Sequence, residues 1–256
     1  MKLLNQNELF LLEELIKKNF ASKYKDSVLG IFWSILRPLL MMILLTIVFS
    51  TFFKGFVENY PVYLLSGRCV YDFFTGAIGI GMLAIKGNKG IIMKTSAPKY
   101  IYILAGILSE FLNFIISIII LFGVMIVTGA SFHFIVMPLS IIPIISVILM
   151  ITGISFILAI VCVYYTDIKH LWGVITMMLM YASAIFYPIE IVPEFYRQYM
   201  ILNPLFWIID QFRSLIVFGQ IPNLHYIVNS LLISLIIFTL GIIIYKKYEK
   251  RTTLRL

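Results

Sequence analysis

Charge is what this sequence has least of. Asp, Glu, Lys and Arg make up 12% of its 256 residues, about half the share that a soluble domain carries. A chain of this size cannot cover its surface with solvated groups at that level, so a bilayer must cover it instead. Hydrophobic residues fill 61% of the positions, and the apolar runs follow one another too closely to leave a separate soluble domain. Cysteine is scarce as well. Cys69 and Cys162 are too few and too far apart for a disulfide framework or a metal site. The three histidines, His133, His170 and His225, are scattered without ligand spacing. No serine lies in a GxSxG elbow. The nearest glycine-rich stretch, Gly87-Asn88-Lys89-Gly90, lacks the GxxxxGK(S/T) spacing and follows no strand. Any energy source must therefore be a partner or a gradient. A cleavable signal peptide is not expected either, because residues 8–20 alternate charge with leucine.

What charge there is sits at the edges of apolar runs. The net charge is +8, which could suggest nucleic acid, but position points elsewhere. Six of the twenty basic residues lie in 1–37, four in 86–99, five in 246–256, and Lys169 occupies a short turn. Lys and Arg concentrated this way mark cytoplasmic loops. Nucleic acid is not the expected partner; membrane lipid is.

A spanning helix needs roughly 20 mostly apolar residues. Candidates fall at about 33–53, 62–85, 100–128, 138–164, 171–189 and 226–245. From Phe111 to Thr166 no Asp, Glu, Lys or Arg occurs. As one helix that stretch would be roughly 80 Å long against a core of about 30 Å. It must fold back once, and Gly129–His133, just before Pro138, is where the turn belongs. Six spans place both termini on one side, with sixteen basic residues there and only Lys54, Arg68, Arg197 and Arg213 on the other. The expectation is an all-α, multi-pass protein of the cytoplasmic membrane, one transmembrane domain over residues 1–256, with both termini in the cytoplasm.

Two segments are neither spans nor ordinary loops. Residues 8–20 place Leu9, Leu12, Ile16 and Phe20 on one helical face, with acids early and lysines late, as the helix dipole favours. This predicts an amphipathic helix, lying either in the inner interface or against the protein's own cytoplasmic surface. Residues 190–222 are broken by Pro193, Asn203-Pro204 and Gly219 into apolar pieces of about 195–202 and 205–218, too short to span. They predict two short re-entrant outer helices between spans five and six, with irregular backbone satisfied by protein or water.

Four charged side chains fall inside predicted spans: Arg37 near the start of the first, then Arg68, Asp72 and Glu110. Glu110 lies about 16 Å of helix beyond Lys99, and an intramembrane carboxylate marks a functional position by default. The alternative is a residue joining helices, bonded to Asn113 or a nearby hydroxyl. Arg68 and Asp72 are four apart, share a helical face and can neutralise each other, which suits a structural anchor. Aromatic residues are abundant, with 15 Tyr and 21 Phe. An interfacial belt explains part of them, and the rest could line a passage.

The chain resembles a known family. Tyr24-Lys25-Asp26-Ser27-Val28-Leu29-Gly30-Ile31-Phe32-Trp33, followed by Pro38, looks like the opening motif of the ABC-2-type polysaccharide exporter permeases, the membrane subunits that export O-antigen, capsule or teichoic acid chains. Ser109-Glu110 with Asn113, Tyr165-Thr166-Asp167-Ile168-Lys169, Phe186-Tyr187 with Asn203-Pro204-Leu205, and Arg213 with Gly219 and Pro222 follow in order. Two positions depart from the pattern: Thr166 stands where arginine is common, and Ala184 where proline is common. The resemblance implies a homodimer whose first and fifth spans line a channel for a lipid-linked glycan. It also implies two cytosolic ATPase subunits, holding the ATP and Mg that this chain lacks, docked on residues 8–20 and 86–99. Leu12, Ile16, Lys89, Lys94 and Pro98 are then the coupling candidates. A glycan shows hydroxyls and apolar C–H faces, so its passage suits flat rings with polar tips. The channel-lining candidates are Trp33 and Phe49 in span one and Tyr181, Phe186 and Tyr187 in span five, although these rings could equally pack against lipid or neighbouring helices. An ABC-2 exporter of a drug or lipid would share this fold. An ion-coupled secondary transporter would need buried coupling residues and related halves, and a glycan-transferring membrane enzyme would need paired acids or histidines.

Overall fold

The computed structural model describes residues 5–24, 27–53, 55–95, 97–253 and 255. Lys25 and Asp26 of the opening motif lie outside them. The described chain is helical, and no strand occurs among its residues. In chain order the helices are α1 (Gln6–Tyr24), α2 (Trp33–Phe53), α3 (Tyr60–Gly87), α4 (Lys89–Ile92), α5 (Tyr100–Thr128), α6 (Ile141–Tyr164), α7 (Ile168–Ala182), α8 (Glu194–Ile201), α9 (Pro204–Ile216) and α10 (Leu224–Thr253). Short 3-10 turns at Gly30–Phe32 and Met137–Ser140 lead into α2 and α6.

Five stretches are long and apolar enough to cross a bilayer: Gly30–Phe53, Tyr60–Gly87, Tyr100–Thr128, Met137–Tyr164 and Leu224–Thr252. The predicted turn is where it was expected. Gly129 takes a left-handed φ of 68° and caps α5, with Ala130 N–H bonding to Met125 O. α3 begins at Asn59, whose side chain accepts the Val62 N–H, with Pro61 in the first turn where a missing N–H does no harm. α10 runs past Lys246 through Lys250 and Arg251, so the basic tail continues the helix rather than following it.

The fifth predicted span is the largest departure. Expected over 171–189, the helix stops at Ala182. Its fifteen residues rise only about 22 Å. Ala184 adopts φ 48°, a left-handed conformation that an L-residue with a Cβ resists, and Pro188 disfavours helix at Tyr187. The chain then passes through Pro188 into a 3-10 turn at Ile189–Ile191.

α3, α5, α6 and α9 form the packed interior, with residues such as Ile78, Ile101, Leu121, Ile151 and Phe212 fully enclosed. α6 and α10 approach closely: a Cβ on Gly153 would collide with the Ile237 carbonyl, and one on Gly241 with the Gly153 backbone. Small residues permit such contact where no hydrophobic effect drives helices together. α2 and α7 are different. α2 buries none of its residues and α7 only Trp172.

α1 rests on the protein. Leu15 is buried, and Leu11, Leu12 and Ile16 pack against the core, mainly on α5. The predicted face is rotated: Leu9 is exposed and Leu15 takes the central position. At the same end, Lys18 Nζ donates to Asn88 Oδ1 at 3.1 Å. Lys99 Nζ donates to Glu249 O at 2.8 Å, tying the start of α5 to the end of α10. Burial lowers the pKa of Lys99, partly opposed by Glu249.

Candidate functional site

The intramembrane charges that the sequence presents one at a time converge on one cavity. It has a volume of about 570 Å³ and lies between the end of α1, the first turns of α2, and the middles of α3 and α5. Glu110, 5% exposed, accepts hydrogen bonds from Lys23 Nζ at 2.9 and 3.1 Å and from Asn113 Nδ2 at 3.1 Å. Gly76 makes room for it: a Cβ there would sit 3.1 Å from Glu110 Oε2. Across the cavity, Arg68 Nε donates to Asp72 Oδ2 at 3.0 Å, one helical turn on. Arg37 and Trp33 of α2 complete the wall with Ser34, Thr75 and Ser117.

The bonding of Glu110 to Asn113 was readable at three-residue spacing in one helix. Its ion pair with Lys23 was not, because the two are 87 positions apart and Lys23 belongs to a different helix. Trp33, the other channel-lining candidate of the first span with Phe49, lines this cavity. On α2, sixteen residues separate the two, or about 24 Å.

The other four aromatic candidates do meet, at the opposite end of the bundle. Phe49 stacks on Phe186 at 6.2 Å between ring centroids, and Tyr181 meets Phe186 at 5.8 Å. Phe49 also stacks on Phe53, Phe53 on Tyr60, and Tyr60 on Tyr63, all at 6.0–6.4 Å. Tyr187 Oη donates to the Tyr181 carbonyl at 2.5 Å. Phe186 is buried in this cluster, whereas Tyr181 is exposed.

This cluster is held by the break in α7. Irregular backbone inside apolar surroundings must have its carbonyls satisfied by side chains, and each carbonyl from Ala184 to Tyr187, just beyond the helix end, has a donor. Arg213 Nη1 donates to Ala184 O at 2.8 Å and Nη2 to Ile185 O at 2.7 Å. Tyr60 Oη donates to Phe186 O at 2.7 Å, and Tyr63 Oη to Tyr187 O at 2.9 Å. Asn203 caps α9 by accepting the Leu205 N–H at 3.0 Å, and its amide donates to Ser183 Oγ at 2.8 Å. Arg213 is 3% exposed, lies over the Tyr63 ring at 3.8 Å, and has no carboxylate within ion-pair distance among the described residues. Gly67 leaves the space for it, since a Cβ there would strike the guanidinium. In the sequence Arg213 stands out only as part of a pattern with Gly219 and Pro222. Its role depends on α3 and α9 meeting at the break, and no local spacing reveals that.

At the basic end, Leu12 and Ile16 are half-buried on α1, while Lys89 and Lys94 are exposed and Pro98 is half-buried in the adjoining loop. The bond from Lys18 to Asn88 brings these two segments together. Lys86 Nζ donates to Thr166 Oγ1 at 2.8 Å, so the threonine in the turn before α7 has a partner within the chain. Both cysteines are buried and unpaired. Among the described residues no His, Cys, Asp or Glu cluster could hold a metal.

The family model for the ABC-2 type transporter matches residues 11–217. An O-antigen export system permease protein of Klebsiella pneumoniae is 26% identical over 243 residues, covering 94% of this chain and 93% of that protein. One from Myxococcus xanthus is 22% identical over 221 residues, 83% of this chain and 82% of that protein. A polysialic acid transport protein of Escherichia coli is 23% identical over 248 residues, 93% of each chain.

Proposed function

We propose that this chain, which belongs to the ABC-2 type transporter family, is the membrane-spanning permease subunit of an exporter that moves a lipid-linked polysaccharide across the cytoplasmic membrane. The observation that carries this reading is the end-to-end match to relatives named for O-antigen export and polysialic acid transport. Energy comes from a separate ATPase that binds ATP and Mg, and the chain works as a homodimer with two ATPase copies.

In this reading the polypeptide crosses the membrane six times. The stretch from Thr166 to Tyr187 serves as the fifth crossing although its helix is short. Its supports are contacts along α3: Thr166 with Lys86, Thr176 with Tyr71, Met180 with Arg68, and Phe186 with Tyr60. A break near the outer end shortens the helix without shortening the crossing. The basic end, with both termini, faces the cytoplasm, and α8 and α9 dip into the outer leaflet as re-entrant helices. α1 and the loop 86–99 form the ATPase platform, with Leu12, Ile16, Lys89, Lys94 and Pro98 at its surface. α2, which buries none of its residues, and α7, which buries only Trp172, face the passage. Phe49, Tyr181, Phe186 and Tyr187 form its outer aromatic mouth.

The test is deletion of the gene followed by analysis of the lipid fraction. Intracellular build-up of a lipid-linked glycan, with its loss from the surface and recovery on complementation, is the expected result. An unchanged glycan distribution in the deletion strain would refute the reading.

A further inference from the structure

Among the described residues that line the cavity between α1, α2, α3 and α5, three cations face two acids. Both of its acids are engaged: Glu110 by Lys23 and Asp72 by Arg68. Arg37 is the third cation on the wall, and no carboxylate lies within ion-pair distance of it among the described residues. Its five N–H donors make no hydrogen bond to a described residue. A metal cation has no vacant carboxylate to bind here, whereas an anion with several oxygens would meet a guanidinium shaped for bidentate contact.

The surface above the cavity is apolar. Met41, Leu44 and Val48 continue the stripe that begins at Arg37, at three- and four-residue intervals. They are 42%, 55% and 47% exposed, and the stripe rises about 16 Å from Arg37 to Val48. Met41 also lines the cavity, so the apolar stripe starts at the cavity wall. A phosphate carried on an acyl chain matches this arrangement, headgroup in the cavity and tail along α2, where free phosphate would leave the stripe bare.

We propose that the cavity is a binding site for an anionic membrane phospholipid, with Arg37 gripping the phosphate and the Met41–Leu44–Val48 stripe holding an acyl chain. The site rests on the transmembrane placement of α2 and not on the cargo. Binding by a chain that exports no glycan would refute the export reading and leave this one standing.

The test uses the full-length chain, stripped of lipid in mild detergent, with lipid binding counted by native mass spectrometry. Phosphatidylglycerol is expected to bind at one site per chain, about ten-fold more tightly than phosphatidylcholine. Arg37→Gln is expected to weaken it about ten-fold, the worth of one charge-assisted contact, and Lys169→Gln to leave it unchanged. Should Arg37→Gln fail to fold, Ser34→Asp decides, because it places a carboxylate on the same wall. Undiminished binding by whichever variant folds would overturn the proposal. So would equal binding of phosphatidylcholine, displacement by equimolar inorganic phosphate, or a Met41→Cys chain that cross-links to its own copy and then binds no lipid.

Discussion

Charged side chains enter the apolar body of this protein at two places, and the two are built on opposite plans. In the cavity beside α1, two ion pairs and a further arginine surround a volume of about 570 Å³. At the break in α7, Arg213 has no carboxylate within ion-pair distance among the described residues and no spare room, and its charge is spread over neutral carbonyls and a tyrosine ring. A buried charge is tolerable only when hydrogen bonds satisfy it, and both places meet that condition. They differ in what happens if a group moves. Cavity side chains can exchange partners, since Lys23 and Asp72 keep about 40% and 46% of their side chains exposed. Arg213 has nowhere else to go. The first plan suits a site where something binds, the second a staple.

Breaking the staple should have the largest effect. Arg213→Met leaves the Ile185 carbonyl without a donor and the Ala184 carbonyl with only a long bond from Tyr63 Oη at 3.4 Å, and a buried unsatisfied group costs about 1–3 kcal/mol. The expected loss is about 3 kcal/mol or more, read as a lowered unfolding midpoint in detergent. Arg213→Lys should recover only part, because an ammonium cannot reproduce the planar fork. If Arg213→Met is as stable as the wild type, the break is held by other means.

Packing that involves no charge comes next. Gly153→Leu forces α6 and α10 apart where their backbones touch, at about 1–3 kcal/mol for overpacking, in the same unfolding assay. No change would mean that the helices can slide past one another.

The cavity should prove more forgiving. Glu110→Gln keeps a partner for Asn113 and frees a partly exposed Lys23, so about 1 kcal/mol is the expected cost. Loss as large as that of Arg213→Met would erase the distinction between the two places. The smallest effect belongs to the surface pair Lys17–Glu14, where Lys17→Ala should leave the unfolding midpoint where it was.

Much of this architecture was legible because membrane folding leaves a coarse record. The uncharged run 111–166 had to turn once, and Gly129 supplied the conformation. Arg68 and Asp72 could be paired because helical spacing is local. The end of α7 was not legible: Ala184 is no helix breaker by propensity, and the groups that make its conformation tolerable lie on α3 and α9, far away in sequence. The cavity was half legible. Glu110, Arg68 and Asp72 stood out singly as charges inside apolar runs, but their meeting with Lys23, Arg37 and Trp33 depends on how four helices pack. The rotated face of α1 has the same origin, since which leucine is buried is decided by α5.

The central claim is that the stapled break sets an aromatic mouth at the outer end of an export path. Its most direct test is the Phe186→Ala/Tyr187→Ala double variant, purified as the assembled protein and reconstituted in vesicles, with ion flux as the readout. The account predicts normal assembly, ion leakage above the wild-type level, and impaired glycan export in cells. An assembled double variant that stays tight to ions and exports normally would contradict it.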